Sequence, residues 1–333
     1  MNRTGSEQGW IHHEDAVQVK TPVPFPLKWV NSYLIRGTNG YTLIDPGIRT
    51  EEAEACWRRV LDGLGIGMGR IEKIVLTHHH PDHYGLAGWF QQQAGCPVYI
   101  SQAAWEQAQS FWGDRKGPNG RRLNEVMLDT FRTHGIDEDL LAKMGALNAG
   151  RVGSVTPHPE VEFLRPGETI ALGDREYEMI HTPGHATGHL CFYDRERRVI
   201  FCGDHVLPKI SPNVSYIPGI EEDPLEEYLK SLRLVASLEV ERAYPGHRDP
   251  FATFSGRARE ILVHHERRLA DMLDALRERM TAYELCRRIF GKDLSAHQMR
   301  FAMGETLAHL IYLHRRGQVR EWRDEAGTVS FSV

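Results

Sequence analysis

The sequence of 333 residues predicts an α/β protein with a helical insertion and a C-terminal helical module. Strand and helix patterns alternate through the first hundred residues, which is typical of helices packed on a sheet. Strand patterns return after a helical stretch, and an Arg-rich helical composition begins near Ser255. Hydrophobic residues make up 41% and charged residues 26%, which excludes a disordered, collagen-like or coiled-coil chain.

The first hundred residues show the alternation directly. Apolar residues alternate at Val17 and Val19, and the strand patterns 31–36 and 41–45 then flank a four-residue segment with a glycine at each end. These features predict a hairpin. A helix, a buried strand, a second helix and another strand are predicted next, at residues 50–64, 71–77, 85–94 and 98–100.

The middle of the chain interrupts this order. Residues 102–150 carry apolar stripes at helical spacing and predict a helical insertion. After Pro166 and Gly167, strand patterns cover residues 169–172, 176–180, 190–193 and 199–202. The α/β domain is therefore expected to span residues 1–254.

Residues 255–333 predict a second domain. Helical patterns cover residues 255–280, 281–289, 295–302 and 303–316. Thr281 and Glu284 have the spacing of a capping box at the start of one helix. Alternating segments at 318–323 and 328–333 predict a hairpin. Helices followed by a hairpin resemble a winged-helix domain.

Charge and cysteine content narrow the class of protein. The 40 basic and 45 acidic residues give a net charge of −5, which is not that of an obvious nucleic-acid binder, although residues 255–333 hold 14 basic and 11 acidic residues. Five scattered cysteines without a C-x-x-C pair disfavour disulfides and a thiolate zinc site. Without a membrane-length apolar run or a signal-peptide stretch, we expect a cytoplasmic protein with no membrane contact.

Metal-ligand side chains are concentrated where the strand at 71–77 ends. Residues 77–85 read THHHPDHYG, so four imidazoles and one carboxylate lie within six residues. Pro81 disfavours helix at His80, so this segment is expected to turn and let its side chains converge. Imidazole with carboxylate suits zinc, iron or manganese, and the lack of thiolate favours an open, catalytic site.

Three later turns carry the same residue types. His185, Asp204 and His247 each stand on or beside a glycine-containing turn directly after a strand pattern. Because sites in α/β sheets collect at strand ends, these turns and residues 78–83 together predict one metal site. His181 precedes the turn of His185 and is expected to be structural.

The H-x-H-x-D-H block at residues 78–83, followed in order by His185, Asp204 and His247, resembles the metallo-β-lactamase superfamily over residues 15–250. The resemblance implies a four-layer αββα sandwich with a dinuclear metal site at one edge of its two sheets. It also implies a ligand set: His78, His80 and His185 for one metal, Asp82, His83 and His247 for the other, and Asp204 as the bridge.

Other residues near this set have open roles. His79 matches no ligand position and is expected to support the loop. Asp45 is a candidate for orienting a ligand histidine, and the alternative is that it only caps the turn after its strand. His189 either supports the ligands or is merely buried. No ligand position holds the Cys that lactamases proper often carry, so β-lactam hydrolysis is not the leading expectation.

The resemblance implies two divalent cations, with zinc expected first and iron or manganese as alternatives. A hydroxide held between them would attack the substrate, with Asp82 and Asp204 as the catalytic carboxylates. The sequence contains no Gly-x-Ser-x-Gly elbow, Walker motif or dinucleotide fingerprint. Together with the family resemblance, these absences favour a dinuclear metal-dependent hydrolase.

Two substrate classes remain open at this stage. A small carboxylic ester, lactone or acyl thioester is favoured, because the apolar insertion offers a wall for an acyl group, or else simply packs on the sandwich. Tyr216 is a candidate substrate contact. The alternative is single-stranded RNA, because the lactamase-like subfamily with a C-terminal winged helix includes an endoribonuclease besides acyl-thioester hydrolases.

Five arginines in the C-terminal domain are candidates for RNA phosphate contacts: Arg287, Arg288, Arg315, Arg316 and Arg320. Useful phosphate binding normally needs several clustered basic residues. A solvated face or a homodimer contact through the C-terminal helices explains the same residues, so nucleic acid is not the favoured partner.

Overall fold

Two β-sheets pack face to face, and helices cover both outer faces, as a computed structural model of the chain shows. The structure describes residues 9–113, 122–149 and 152–333; residues 114–121 and 150 of the predicted insertion lie outside the described residues. The four layers confirm the αββα sandwich that the family resemblance implies.

The first sheet has seven strands in sequence order. They are β1 (Trp10–His12), β2 (Val17–Pro22), β3 (Trp29–Arg36), β4 (Tyr41–Ile44), β5 (Ile71–Val75), β6 (Val98–Ser101) and β7 (Val161–Leu164). Strands β1 to β4 are antiparallel and β4 to β7 parallel. The predicted hairpin is confirmed, since the amide of Gly37 donates to the carbonyl of Gly40 at 2.8 Å.

The second sheet has the order β12-β11-β10-β9-β8. Its strands are β8 (Thr169–Leu172), β9 (Arg175–His181), β10 (Leu190–Asp194), β11 (Val199–Gly203) and β12 (Arg242–Pro245). All residues of β10 and β11 are buried, because both faces of this sheet are covered. Phe192 and Phe201 pack between the sheets, whereas Cys191 and Ile200 pack under the outer helices.

The described residues of the sandwich and its insertion form seven α-helices. They are α1 (Glu51–Leu64), α2 (Pro81–Tyr84), α3 (Ala87–Ala94), α4 (Gln102–Trp112), α5 (Leu123–Thr133), α6 (Glu138–Ala149) and α7 (Pro224–Val235). Thr50 caps α1 by accepting from the amide of Ala53 at 3.1 Å. Trp57 of α1 and Phe90 of α3 meet edge to face at 5.0 Å in the core outside the first sheet.

Residues 254–333 contain three helices and a small sheet. The elements are α8 (Phe254–Ala275), β13 (Met280–Thr281), α9 (Ala282–Phe290), α10 (Ala296–Arg315), β14 (Arg320–Arg323) and β15 (Val329–Ser332). The capping box of Thr281 and Glu284 is present. Two boundaries were wrong: α8 ends at Ala275, and α10 is one helix where the sequence analysis separated 295–302 from 303–316.

Sequence analysis missed β1, β7 and α7. Strand β7 is a short edge strand whose Phe163 is half exposed, so its apolar signal is weak. Helix α7 has a clear signal in an Asp223 cap, Pro224 at its first position and apolar residues at helical spacing. Within the described part of the chain, no helix is both long and apolar enough to cross a membrane.

Candidate metal centre

The carboxyl ends of five strands meet at one edge of the sandwich. In the first sheet, β4 and β5 are parallel neighbours. In the second, β9 and β11 both run antiparallel to β10, and β12 runs parallel to β11, so these three strands end on the same side. The loops after these strands carry the predicted site residues, and the structure brings all seven predicted ligands together.

Three imidazoles form the first trio: His78, His80 and His185. Their candidate ligand atoms lie within 4.8 Å of one another. Nε2 of His78 is 3.0 Å from Nδ1 of His80. Nδ1 of His185 donates to the backbone carbonyl of Asn213 at 2.7 Å, which leaves Nε2 of that ring as the ligand atom.

The second trio is Asp82, His83 and His247, whose ligand atoms also lie within 4.8 Å. Nε2 of His247 is 3.3 Å from Oδ2 of Asp82. Nδ1 of His247 donates to the carbonyl of Trp29 at 3.2 Å. Nδ1 of His83 likewise donates, here to the carboxylate of Asp45. The Nε2 atoms of both rings are therefore left to face a cation.

Asp204 lies between the two trios. Its Oδ1 is 3.4 Å from Nε2 of His83, and its Oδ2 is 3.3 Å from Nε2 of His247 and 3.8 Å from Nε2 of His185. One carboxylate thus approaches ligand atoms of both trios, which is the position expected of a bridge.

The polar atoms at the centre of this cluster fit a metal site. Nε2 of His83, Nε2 of His185 and Oδ1 of Asp204 are buried without a hydrogen-bond partner in the part of the chain that the structure describes. Buried polar atoms nearly always have partners, so these three indicate a ligand such as a cation. A Cβ at Gly246 would lie 2.2 Å from Oδ1 of Asp204, so only glycine leaves room for this arrangement.

Asp45 is buried and supports one imidazole of each trio. Its carboxylate accepts from the amide and hydroxyl of Thr77, at 2.8 and 2.6 Å, and from Nδ1 of His83 at 2.8 Å. Because the hydroxyl proton of Thr77 goes to Asp45, its oxygen can accept from Nδ1 of His78 at 2.9 Å. Sequence analysis missed Thr77, although it directly precedes the histidine block.

His189 holds the backbone of the bridging residue. Its Nε2 accepts from the amide of Asp204 at 3.2 Å, and its Nδ1 is 2.8 Å from the hydroxyl of Thr182. Both ring nitrogens are therefore engaged, and the residue contacts the site without facing a cation. His79 stacks on Phe111, with ring centres 5.7 Å apart.

Tyr216 does not lie where the sequence analysis expected it. The neighbouring residues Ser215 and Ile217 line the cavity beside the metal site, but Tyr216 does not. Tyr216 packs against the core beneath the second sheet instead, and its expected substrate contact was wrong.

The two trios differ in the protons they hold. Burial, and then the neighbouring imidazoles, lowers the pKa of His78 and His80 well below the usual histidine range. Burial also opposes protonation of His247, but the charges and hydrogen bonds of Asp204 and Asp82 outweigh it and raise the pKa of this histidine to about 10. The imidazoles of the first trio therefore carry no extra proton at neutral pH, whereas a cation must compete with protons for the second trio.

Two ligand trios that share an aspartate at the edge of an αββα sandwich define a dinuclear metallo-hydrolase. The chain belongs to the metallo-beta-lactamase superfamily, whose profile matches residues 29–247. A profile for the metallo-beta-lactamase-like C-terminal domain matches residues 269–333.

Two relatives and one solved structure are similar to much of the chain. A probable metallo-hydrolase of Bacillus subtilis is 28% identical, over 96% of this chain and 98% of the relative. An acyl-coenzyme A thioesterase of Gallus gallus is 33% identical, over 66% of this chain and 73% of the relative. The crystal structure of a metallo-beta-lactamase family protein from Thermus thermophilus covers 97% of this chain and 98% of its own, with 34% identity and a TM-score of 0.83.

We expect metal binding by the second trio to depend on pH far more than binding by the first. Despite burial, neighbouring carboxylates raise the pKa values of His83 and His247, so a cation must displace protons at neutral pH. For each proton displaced, metal affinity therefore falls about tenfold for every unit by which the pH is lowered. Zinc titrations of chelator-treated protein on both sides of neutrality measure the two slopes. Equal slopes would contradict this difference, and His247→Ala should flatten the steeper one.

Proposed function

We propose that this protein hydrolyses acyl thioesters whose acyl group is apolar. The observation that carries the proposal is a cavity of about 570 Å³ that opens directly onto the metal ligands. Five of the seven candidate ligands line it: His80, Asp82, His185, Asp204 and His247. A substrate in this cavity therefore lies against both trios.

The insertion and the C-terminal domain both contribute apolar side chains to the wall of the cavity. The insertion contributes Phe111, Trp112 and Met127, and the C-terminal domain contributes Phe290, Leu294 and Phe301. Burial of an aliphatic chain against such a wall contributes about 0.8 kcal/mol per methylene group. The expected acyl wall of the insertion thus has a counterpart in the C-terminal domain that sequence analysis did not foresee.

The leaving group favours a thioester over an ordinary ester. A thiol has a pKa of about 8.5, so a thiolate can leave without first taking a proton. The alkoxide of an ordinary ester is far more basic and leaves less readily. The Gallus gallus relative described as an acyl-coenzyme A thioesterase supports the same choice.

The chain's own residues position and move the reacting groups. Two bound cations supply Lewis acidity and lower the pKa of water near the substrate carbonyl. Despite burial, His83 and His247 lower the pKa of Asp82, which stays a carboxylate and can accept a proton. Asp45 fixes two ligand rings, and the apolar wall excludes other water from the reaction.

The cations are proposed to be zinc, with iron or manganese as alternatives, since all three suit imidazole and carboxylate ligands. Elemental analysis of the purified protein identifies them directly. Two equivalents of one metal, both removed by a chelator together with activity, are the expected result.

The RNA alternative has weaker support in the structure. Three of the five candidate arginines pair with carboxylates: Arg315 with Glu222 at 2.9 Å, Arg316 with Asp223 at 2.9 Å, and Arg288 with Glu278 at 3.5 Å. These pairs reduce the positive charge available to phosphates.

A direct comparison of substrates tests the proposal. The metal-loaded protein is assayed on acyl-coenzyme A thioesters of increasing chain length, p-nitrophenyl esters, lactones and labelled single-stranded RNA. We expect kcat/KM to rise up to about fourfold per methylene until the cavity is filled. RNA cleavage without thioester turnover would overturn the proposal and favour the nuclease.

Leu294→Ala is expected to lower kcat/KM for long acyl thioesters by roughly tenfold and to leave acetyl thioester hydrolysis nearly unchanged. Leu294 lines the cavity from the loop between α9 and α10, so its truncation removes contacts that only a long chain reaches. Leu234→Ala is the matched control, because Leu234 is 52% exposed on α7 and does not line the cavity. Equal losses for short and long chains would contradict an acyl-binding wall.

A further inference from the structure

One metal ligand depends on a segment that the C-terminal domain holds in place. Nδ1 of His185 donates to the backbone carbonyl of Asn213 at 2.7 Å. The segment after β11 that contains Asn213 has no regular secondary structure, so no helix or strand hydrogen bond holds this carbonyl. The contacts of the Asn213 side chain, together with the burial of its neighbour Val214, therefore position it.

All the polar atoms of the Asn213 side chain are engaged. Nδ2 donates to the carbonyl of Phe301 at 3.1 Å and to Oε2 of Glu305 at 3.2 Å, both on α10. Oδ1 accepts from the hydroxyl of Ser215 at 2.6 Å. These contacts, called the Asn213 clamp below, join the His185 partner to the C-terminal domain.

Glu305 is held from its other side as well. It is buried, and its Oε1 lies 3.2 Å from Nη1 of Arg268 on α8. Burying a carboxylate is costly unless it is paired and hydrogen-bonded, and an apolar residue would pack two domains at lower cost. A charged group at this position is therefore better explained by its hydrogen bond, which orients the side chain of Asn213, than by packing.

The backbone fits the same contact. The amide of Tyr216 donates to the carbonyl of Gly304 at 3.0 Å, inside α10. A Cβ at Gly304 would lie 2.5 Å from Oγ of Ser215, so glycine permits this close approach in the middle of a long helix. Residues 213–216 are thus held against one face of α10.

We propose that Glu305 and Asn213 are positioning residues for the metal ligand His185, so that metal affinity of the first trio depends on the C-terminal domain. Groups that hydrogen-bond a metal ligand directly typically change metal affinity about 10- to 100-fold when they are removed, which sets an upper bound for the residues that hold such a group. This role is independent of the substrate, because it acts on metal binding.

Asn213→Ala tests the proposal directly, because it removes the clamp and keeps the backbone carbonyl that His185 contacts. Zinc is titrated into chelator-treated protein against a chromophoric competitor. We expect one of the two zinc dissociation constants to rise several-fold, by up to about 100-fold, and the other to change less than about twofold. Cobalt absorption spectra should change for the same site only.

Glu305 offers a graded second test. Glu305→Ala should weaken the same zinc site as Asn213→Ala, and the double variant should be little worse than either single one, since both break one contact. Glu305→Gln keeps an oxygen that accepts from Asn213, so it should restore most of the affinity. Glu266→Ala and Arg267→Ala are the matched controls, because both residues are exposed on α8 beside Arg268.

Two outcomes would overturn the proposal. A lower melting temperature with both zinc dissociation constants unchanged would reduce the Asn213 clamp to a structural contact. A higher KM with unchanged zinc affinity and cobalt spectrum would make Glu305 a substrate contact, which its place in the cavity wall allows.

Discussion

Replacing Asp204 with alanine is expected to lower kcat by roughly 10³-fold or more and to leave at most one tightly bound metal. The carboxylate of Asp204 approaches His83 and His247 of the second trio and His185 of the first. Removing it takes away the group that both cations would share, and metal catalysis contributes several kcal/mol of transition-state stabilisation. Turnover and elemental analysis of the same preparation measure both effects.

Two further variants make this result interpretable. Asp204→Asn keeps the size of the side chain and should lose nearly as much activity, because a neutral amide lacks the negative charge that both cations would share. Asp271→Ala on α8 is the control, since Asp271 is exposed and distant in sequence from every ligand. Wild-type turnover by a folded Asp204→Ala protein would exclude the bridging role.

The residue pattern predicted α/β packing, the family resemblance implied the sandwich, and the candidate ligands were recognised because their signals are local. Residues 78–83 form one continuous block, and His185, Asp204 and His247 stand beside turns that follow apolar strands. Strands that run in the same direction have their carboxyl ends at the same edge of a sheet, so the turns after them lie close together.

The contacts that orient these side chains carry no comparable signal. His185 and His247 donate to the backbone carbonyls of Asn213 and Trp29, and every residue type has such a carbonyl. The Asn213 clamp joins positions about ninety residues apart in the chain, so no spacing reveals it. Tyr216 shows the opposite error, since closeness in sequence to Asp204 did not fix which way its side chain points.

The difference in histidine pKa between the two trios could not be predicted from the sequence either. Both trios contain histidines, yet burial lowers the pKa of His78, whereas nearby carboxylates raise that of His247. The difference depends on which side chains face each ring in the folded chain. Composition of the motif alone therefore cannot assign protons to its members.

Asp45→Asn is expected to weaken both zinc sites by about 10- to 100-fold each, the largest effect foreseen for a residue that contacts no metal. Asp45 receives three hydrogen bonds, two from Thr77 and one from His83. An amide offers one oxygen and one NH₂ group, so at least one donor is left facing another donor. The φ of residue 45 is +48°, in the left-handed region that asparagine adopts readily, so this variant changes the side chain without straining the backbone.

A paired variant separates the two branches that leave Asp45. Thr77→Val has nearly the same shape but lacks the hydroxyl that links Asp45 to His78, so it should weaken only the site that contains the first trio. Zinc titration of both variants therefore distinguishes a shared support from a local one. If Asp45→Asn weakened only the site of the second trio, the contact of Asp45 with His83 would be the only one that matters. The two sites would then be positioned independently.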